Sequence, residues 1–164
     1  MNVKLCCVTG HRDIPEEHIT YVKEALRREI EAAASDGYTG FMSGFAEGVD
    51  QYFVEIVMKL KETNPNLQLM AAIPTRQRLN SLEKNPETKA MLDCCSDIVV
   101  ISENYYPSVY SQRNRYMVEK SDRVIAVYDG REKGGTFGTI RFTHKFCKEL
   151  REILIGVDII EPKR

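Results

Sequence analysis

"VKLCCVTGHRDIPEE", residues 3–17, decides the fold. Its first seven residues form an almost continuous apolar run, which needs burial on both faces, as in a central parallel strand. Gly10 then allows positive φ or close backbone approach, with Thr9, His11 and Arg12 around it. Asp-Ile-Pro-Glu (13–16) matches a capping box with proline in the first turn, so a helix is expected to open at Asp13. Ile19, Val22, Leu26 and Ile30 follow at helical spacing, and Gly37 closes the segment. Strand, glycine turn and amphipathic helix in that order are the first half of a βαβ unit.

The alternation continues along the chain. "YTGFMS" (38–43) reads as a second strand, and Val49, Phe53, Ile56, Val57 and Leu60 form the stripe of a second helix. That helix stops before Asn64-Pro65, because a residue preceding proline avoids the helical region. "LQLMAAIP" (67–74), "DIVVIS" (97–102), "RVIAVYD" (123–129) and "ILIGVDII" (153–160) are the remaining strands. Residues 75–93 read as loop plus one or two short helices, 103–111 as an aromatic loop and 112–122 as a helix. Residues 130–139 read as a glycine-rich loop, followed by a helix over 140–150. The expected fold is α/β: a single Rossmann-like domain over residues 1–164, in three layers with a mostly parallel central sheet. Ligands of such sheets bind beyond the carboxyl ends of the strands, which here carry the glycines, hydroxyls and arginines.

Composition narrows the function classes. With 23 basic and 24 acidic residues the net charge is -1, so no global field favours nucleic acid or an anionic membrane. No apolar run approaches the roughly 18 residues of a membrane span, and the first residues lack a signal-peptide layout, which points to the cytoplasm. The five cysteines fall as Cys6-Cys7, Cys94-Cys95 and Cys147, a pattern of small apolar residues rather than a disulfide framework. No metal site is read, since the histidines lie away from the cysteine pairs. No cofactor is implied.

Four stretches carry candidate chemistry. "TGHRD" (9–13) offers Thr9, Gly10, His11 and Arg12 as a grip for phosphate or carboxylate. "KGGTFGT" (133–139) brings Gly134, Gly135, Thr136, Gly138 and Thr139 before a helix, where N–H groups and hydroxyls converge on an anion. It is neither a dinucleotide fingerprint nor a Walker loop. "QRNRYMVEKSD" (112–122) presents Arg113 as a bidentate clamp with Asn114 beside it, and Asp129 ends the following strand. "SGFAEGVD" (43–50) places Ser43, Gly44 and Gly48 with two carboxylates, Glu47 and Asp50. With a helix starting near Phe45, Glu47 and Asp50 share one face and meet the sugar hydroxyls of a ligand. Tyr105, Tyr106 and Tyr110 lie in one loop, either stacking on a base or covering a core edge.

Together "TGHRD", "SGFAEGVD", "RNRYMVEKSDRVIAVYD" and "KGGTFGT" resemble the SLOG superfamily of Rossmann-like proteins, which joins the DNA-processing proteins to the lonely-guy enzymes. The likeness is greatest to its YpsA-like branch. "SGFAEGVD" looks like the corresponding turn of the DNA-processing side. By resemblance Arg113 takes the place of an arginine implicated in lonely-guy catalysis. The glutamate that serves glycosidic cleavage there is replaced here by Phe142.

The resemblance implies a nucleotide-like small molecule as partner, such as ADP-ribose, bound by a sensor or regulatory domain. An N-glycosidase using Glu47 and Arg113 is the alternative. Single-stranded DNA is the third reading, against which the near-neutral charge speaks. A homodimer or higher homo-oligomer is an expectation of the superfamily.

Overall fold

A computed structural model describes residues 3–156. β1 (Leu5–Gly10), β2 (Gly40–Ser43), β3 (Gln68–Thr75), β4 (Asp97–Ser102), β5 (Arg123–Tyr128) and β6 (Glu149–Leu154) form one sheet in the order β4-β3-β2-β1-β5-β6. Each neighbouring pair is parallel. The chain steps outward from β1 to β4, then returns to place β5 on the other side of β1. The connecting helices therefore divide between the two faces: α1 (Glu16–Ser35), α2 (Val49–Lys61), α3 (Arg76–Lys84) and α4 (Pro86–Asp93) on the outward path, α5 (Val109–Lys120) and α6 (Gly135–Lys145) on the return. This is the α/β Rossmann-like arrangement that the alternation implied.

The pleat explains the adjacent cysteines. Cys6 and Val8 join the larger core with Leu26, Phe41, Phe53 and Ile73, whereas Cys7 joins the smaller one with Met42, Met117 and Val124. Successive residues of a strand point to opposite faces, and β1 is buried on both. The two cores thus lie on either side of the same strand.

Several boundaries differ from the sequence reading. α1 begins at Glu16 with Pro15 as its N-cap and no side-chain cap, so Asp13 does not cap it. Ile14, as the residue before proline, is steered away from the helical region, and the helix opens only beyond Pro15. Its far end does follow the glycine rule: Gly37 at φ 95° lets Tyr38 N–H reach Ala33 O and Gly37 N–H reach Ala34 O, a Schellman closure. α2 begins at Val49, after Gly48 at φ 83°, not near Phe45. α6 begins at Gly135, so most of "KGGTFGT" is helix and not loop. The last strand accordingly comes early, at Glu149–Leu154, and residues 157–160 of its expected span lie outside the described residues.

Candidate functional site

β1 and β5 are neighbours, yet their following helices cross to opposite faces of the sheet. Beyond their carboxyl ends lies a cavity of about 480 Å³. That is where an open α/β sheet leaves a crevice, and the volume lies within the range of small-molecule sites. Its walls come from the turn after β1, the start of α2, the first half of α5 and the segment leading into α6.

Thr9, Gly10, His11, Arg12, Asp50, Arg113, Asn114, Gly134, Gly135 and Thr136 all line the cavity. Ser43, Gly44, Glu47, Gly48, Asp129, Gly138 and Thr139 do not. Most of these remaining residues hold the lining ones in place. Ser43 Oγ donates to Asp50 O at 3.0 Å and accepts from Phe45 N–H at 3.1 Å. Phe45 is thereby held at φ 61°, a conformation non-glycine residues rarely adopt, while its ring is wholly buried. The Gly44 carbonyl accepts from Arg113 Nη1 at 2.8 Å. Gly48 lets the chain pass beside Arg12, since a Cβ there would stand 3.1 Å from Arg12 O. Thr139 lies one turn inside α6 and donates back to Gly135 O at 2.9 Å.

Glu47 requires a correction. It precedes α2, is exposed and is absent from the cavity wall, so it shares no helix face with Asp50. The carboxylate delivered by "SGFAEGVD" is Asp50, only 7% exposed. Its Oδ2 accepts from Ala46 N–H at 3.1 Å. Burial pushes its carboxyl above the usual range, against the pull of Arg113. Arg113 is 5% exposed and donates to Gly44 O, to Ala72 O at 3.3 Å and to Asn114 Oδ1 at 2.9 Å. Burial in turn lowers its pKa, opposed by Asp50. Arg113 thus fastens the end of β2 to β3 while bordering the cavity.

The lining is cationic on balance. Arg12, Arg113, Arg131 and Lys133 share it with Asp13 and Asp50, an excess of positive side chains. Gly134 at φ 94° is the N-cap of α6 and supplies no side chain, so the N–H groups of the first turn remain open toward the cavity. Tyr110 lies between two cations, with the Arg12 and Arg113 guanidinium carbons at 5.9 and 5.5 Å from its ring centre.

His11 is buried, and its Nε2 accepts from Asp129 N–H at 3.2 Å. The neutral ring therefore carries its proton on Nδ1. Burial lowers its pKa, while Asp129 acts in the opposite direction. Although Nε2 also lies 3.0 Å from Asp129 Oδ1, the carboxylate is already held by Arg131 through Nε and Nη2, the latter at 2.6 Å.

Arg131, Lys133, Asp13 and Tyr110 are the further polar residues of the lining, which Val8, Ala46 and Met117 complete. Arg131 had a readable signal: Asp-Gly-Arg is a turn, and Asp129 Oδ1 accepts from Arg131 N–H at 3.0 Å. Asp13 resembled a helix cap, and its side chain instead lies 3.6 Å from Arg131.

A family model described as the YspA SLOG family matches residues 6–155. The chain belongs to this family. Among curated bacterial relatives, a UPF0398 protein of Halalkalibacterium halodurans is 29% identical over 120 residues, covering 71% of this chain and 64% of that protein. The chain therefore spans less than two thirds of that relative's length. A UPF0398 protein of Bacillus pumilus is 27% identical over 145 residues, covering 80% and 77%.

Two solved structures share the fold. DNA processing protein A from Helicobacter pylori, described for its single-stranded DNA binding mode, has a TM-score of 0.66 at 19% identity, covering 94% of this chain and 67% of that one. The protein TM1055 has a TM-score of 0.61 at 15% identity, covering 90% and 72%. At these identities the two structures show the shared fold alone. Among the described residues no helix is long and apolar enough to cross a membrane.

Proposed function

We propose that the cavity binds a nucleotide or NAD-derived molecule of the ADP-ribose type, and that the chain is a cytoplasmic sensor or regulatory domain. One observation carries this reading: the open N-terminus of α6 and the excess of cationic side chains share one cavity with Asp50 and Asn114. Arg12, Arg131, Lys133 and the α6 N–H groups suit phosphate oxygens. Asp50 and Asn114, on the side of Arg113, suit sugar hydroxyls. The N-glycosidase alternative loses Glu47 as its acid in this arrangement, and Asp50 is the carboxyl that stands beside Arg113 in the cavity. Glu47 lies outside the cavity, and Phe142 packs against the smaller core, its ring 6.3 Å from that of Phe146.

Thermal stability measured with AMP, ADP-ribose and NAD tests the binding. A ligand at 100 times its dissociation constant adds about 2.7 kcal/mol of stability. Arg12→Ala and Lys133→Ala reduce the effect, and absence of any shift with all three ligands would contradict the reading. Chromatography of the same mixtures reports whether a base is released.

Single-stranded DNA is a second reading. The near-neutral net charge does not decide against it, because four of the chain's 23 cations, Arg12, Arg113, Arg131 and Lys133, line one cavity. Tyr105 and Tyr106 are exposed beyond β4, as a base-stacking platform would require. The DNA-processing neighbour lends this reading its precedent. Retardation of single-stranded DNA at low salt, abolished by Tyr105→Ala with Tyr106→Ala, would favour it over a small-molecule ligand.

A further inference from the structure

His11, Asp129 and Arg131 form a chain from the buried base of the β1 turn to the cavity mouth. His11 Nε2 stands 3.0 Å from Asp129 Oδ1, and Asp129 holds Arg131, whose side chain also approaches Asp13 at 3.6 Å. The Tyr128 ring stacks on His11 at 5.9 Å. The charged groups facing His11 are therefore Asp129 and Arg131 from the segment after β5, and Asp13 from its own turn.

With His11 neutral, its Nε2 lone pair accepts from Asp129 N–H and also lies beside a carboxylate oxygen, an arrangement tolerable because Arg131 supplies donors to both oxygens of Asp129. Asp129 occupies the Nε and Nη2 edge of Arg131, so an anion that takes this bidentate edge must displace the carboxylate. If Arg131 turns to a phosphate, Asp129 loses its donors and confronts the imidazole lone pair. A proton on His11 Nε2 gives up the bond from Asp129 N–H and turns the ring into a donor to the Asp129 carboxylate, leaving an imidazolium–carboxylate pair. Arg131 is then released to the ligand.

We propose that His11 is a positioning residue which, by taking up a proton, hands Arg131 from Asp129 to a bound phosphate, so that this site binds phosphate-bearing ligands more tightly below neutral pH. This rests on the anion-binding reading above. The linkage has a definite sign. The pKa of His11 lies below the usual imidazole value in the free protein, because burial disfavours its charge, and rises when the ligand withdraws Arg131. Proton uptake accompanies binding, and affinity increases as pH falls between the two values.

ADP-ribose is the appropriate probe, because neither of its phosphates titrates near neutrality. Calorimetric titration from about pH 8 to about pH 5.5, across the histidine range, measures the slope. For a one-unit rise in the His11 pKa, Kd falls by about tenfold. His11→Gln flattens the slope, His144→Gln retains it, and Arg131→Gln weakens binding and flattens it. Should His11→Gln fail to fold, the imidazole resonance answers directly, since the chain has only three histidines to assign. Its pKa must climb on saturation with ADP-ribose. Binding independent of pH, an unchanged His11 pKa, or an undiminished slope in Arg131→Gln overturns the proposal. Absence of binding at every pH contradicts the anion-binding reading itself and this inference with it.

Discussion

Gly44→Ala probes how the site and the fold are joined. An added Cβ would stand 2.6 Å from Arg113 Nη1 and 2.8 Å from its Cζ, distances that real side chains do not tolerate. Arg113 is buried, so the guanidinium has to shift and give up its bonds to Gly44 O and Ala72 O. A hydrogen bond from a charged donor contributes about 1.5–3 kcal/mol, and the Ala72 bond is long, so the expected loss is about 3 kcal/mol. For a chain of this size that lowers Tm by about 6–12 °C.

Urea denaturation of Gly44→Ala, Arg113→Ala and the double variant completes the test. Arg113→Ala alone costs about 3–5 kcal/mol, because it leaves Asp50 buried without its counter-charge. On that background the alanine methyl has room on the arginine side. It still meets Asp50 Oδ2 at 3.1 Å, so a residual cost of about 1 kcal/mol or less is expected. If Gly44→Ala costs the same on both backgrounds within about 0.5 kcal/mol, the clash with Arg113 is not the cause and the reasoning fails.

Other perturbations have equally definite outcomes. Gly48→Ala places a side chain at φ 83° and 3.1 Å from Arg12 O, and is expected to destabilise by about 1–3 kcal/mol in the same assay. Alkylation of the native protein, read by mass spectrometry, should modify Cys94 and Cys147 before the other three. Burial seals Cys6 and Cys7 in the cores, and it pushes the Cys7 and Cys95 thiols up to about 12. Arg123 pairs with Asp36 at 2.8 Å and Glu149 at 3.0 Å. Hydrogen bonds from Arg123 and Arg151 respectively hold the Asp36 and Glu149 carboxyls below their ordinary values. That contribution is present above the unfolded carboxylate range and is lost as pH falls through the folded values. Acid denaturation of Arg123→Ala should therefore show a shallower loss of stability below about pH 4 than the parent protein, and an unchanged profile would refute the assignment.

The fold was legible wherever local pattern and burial agree. The run before Gly10 could only be a doubly buried strand, and the helical stripe after it left little choice of layer. Legibility failed where a polar residue has two local uses. Asp13 has the form of a cap, but Pro15 dictates where the helix begins, and Asp13 turns to Arg131 instead. The threonines near Gly135 resemble loop hydroxyls, yet Thr139 and Thr143 donate to carbonyls one turn back and travel with the helix. The site followed the same division. Strand ends brought Thr9 to Arg12 and Gly134 to Thr136 onto the wall of one cavity, because the topology places those ends side by side. The choice between Glu47 and Asp50 depended on a helix start four residues away from where spacing placed it. Arg131 emerged only once Asp129 was seen to hold it across the cavity mouth.

The central claim is that one phosphate-bearing ligand sits between the turn after β1 and the start of α6. Amide resonances of the isotope-labelled protein during titration with ADP-ribose test this directly. The account predicts saturating shifts at Thr9 to Arg12 and at Gly135 and Thr136, smaller shifts at Asn114, and none on the exposed face of α1. Shifts confined to Tyr105, Tyr106 and β4, or no shifts at all, would contradict it.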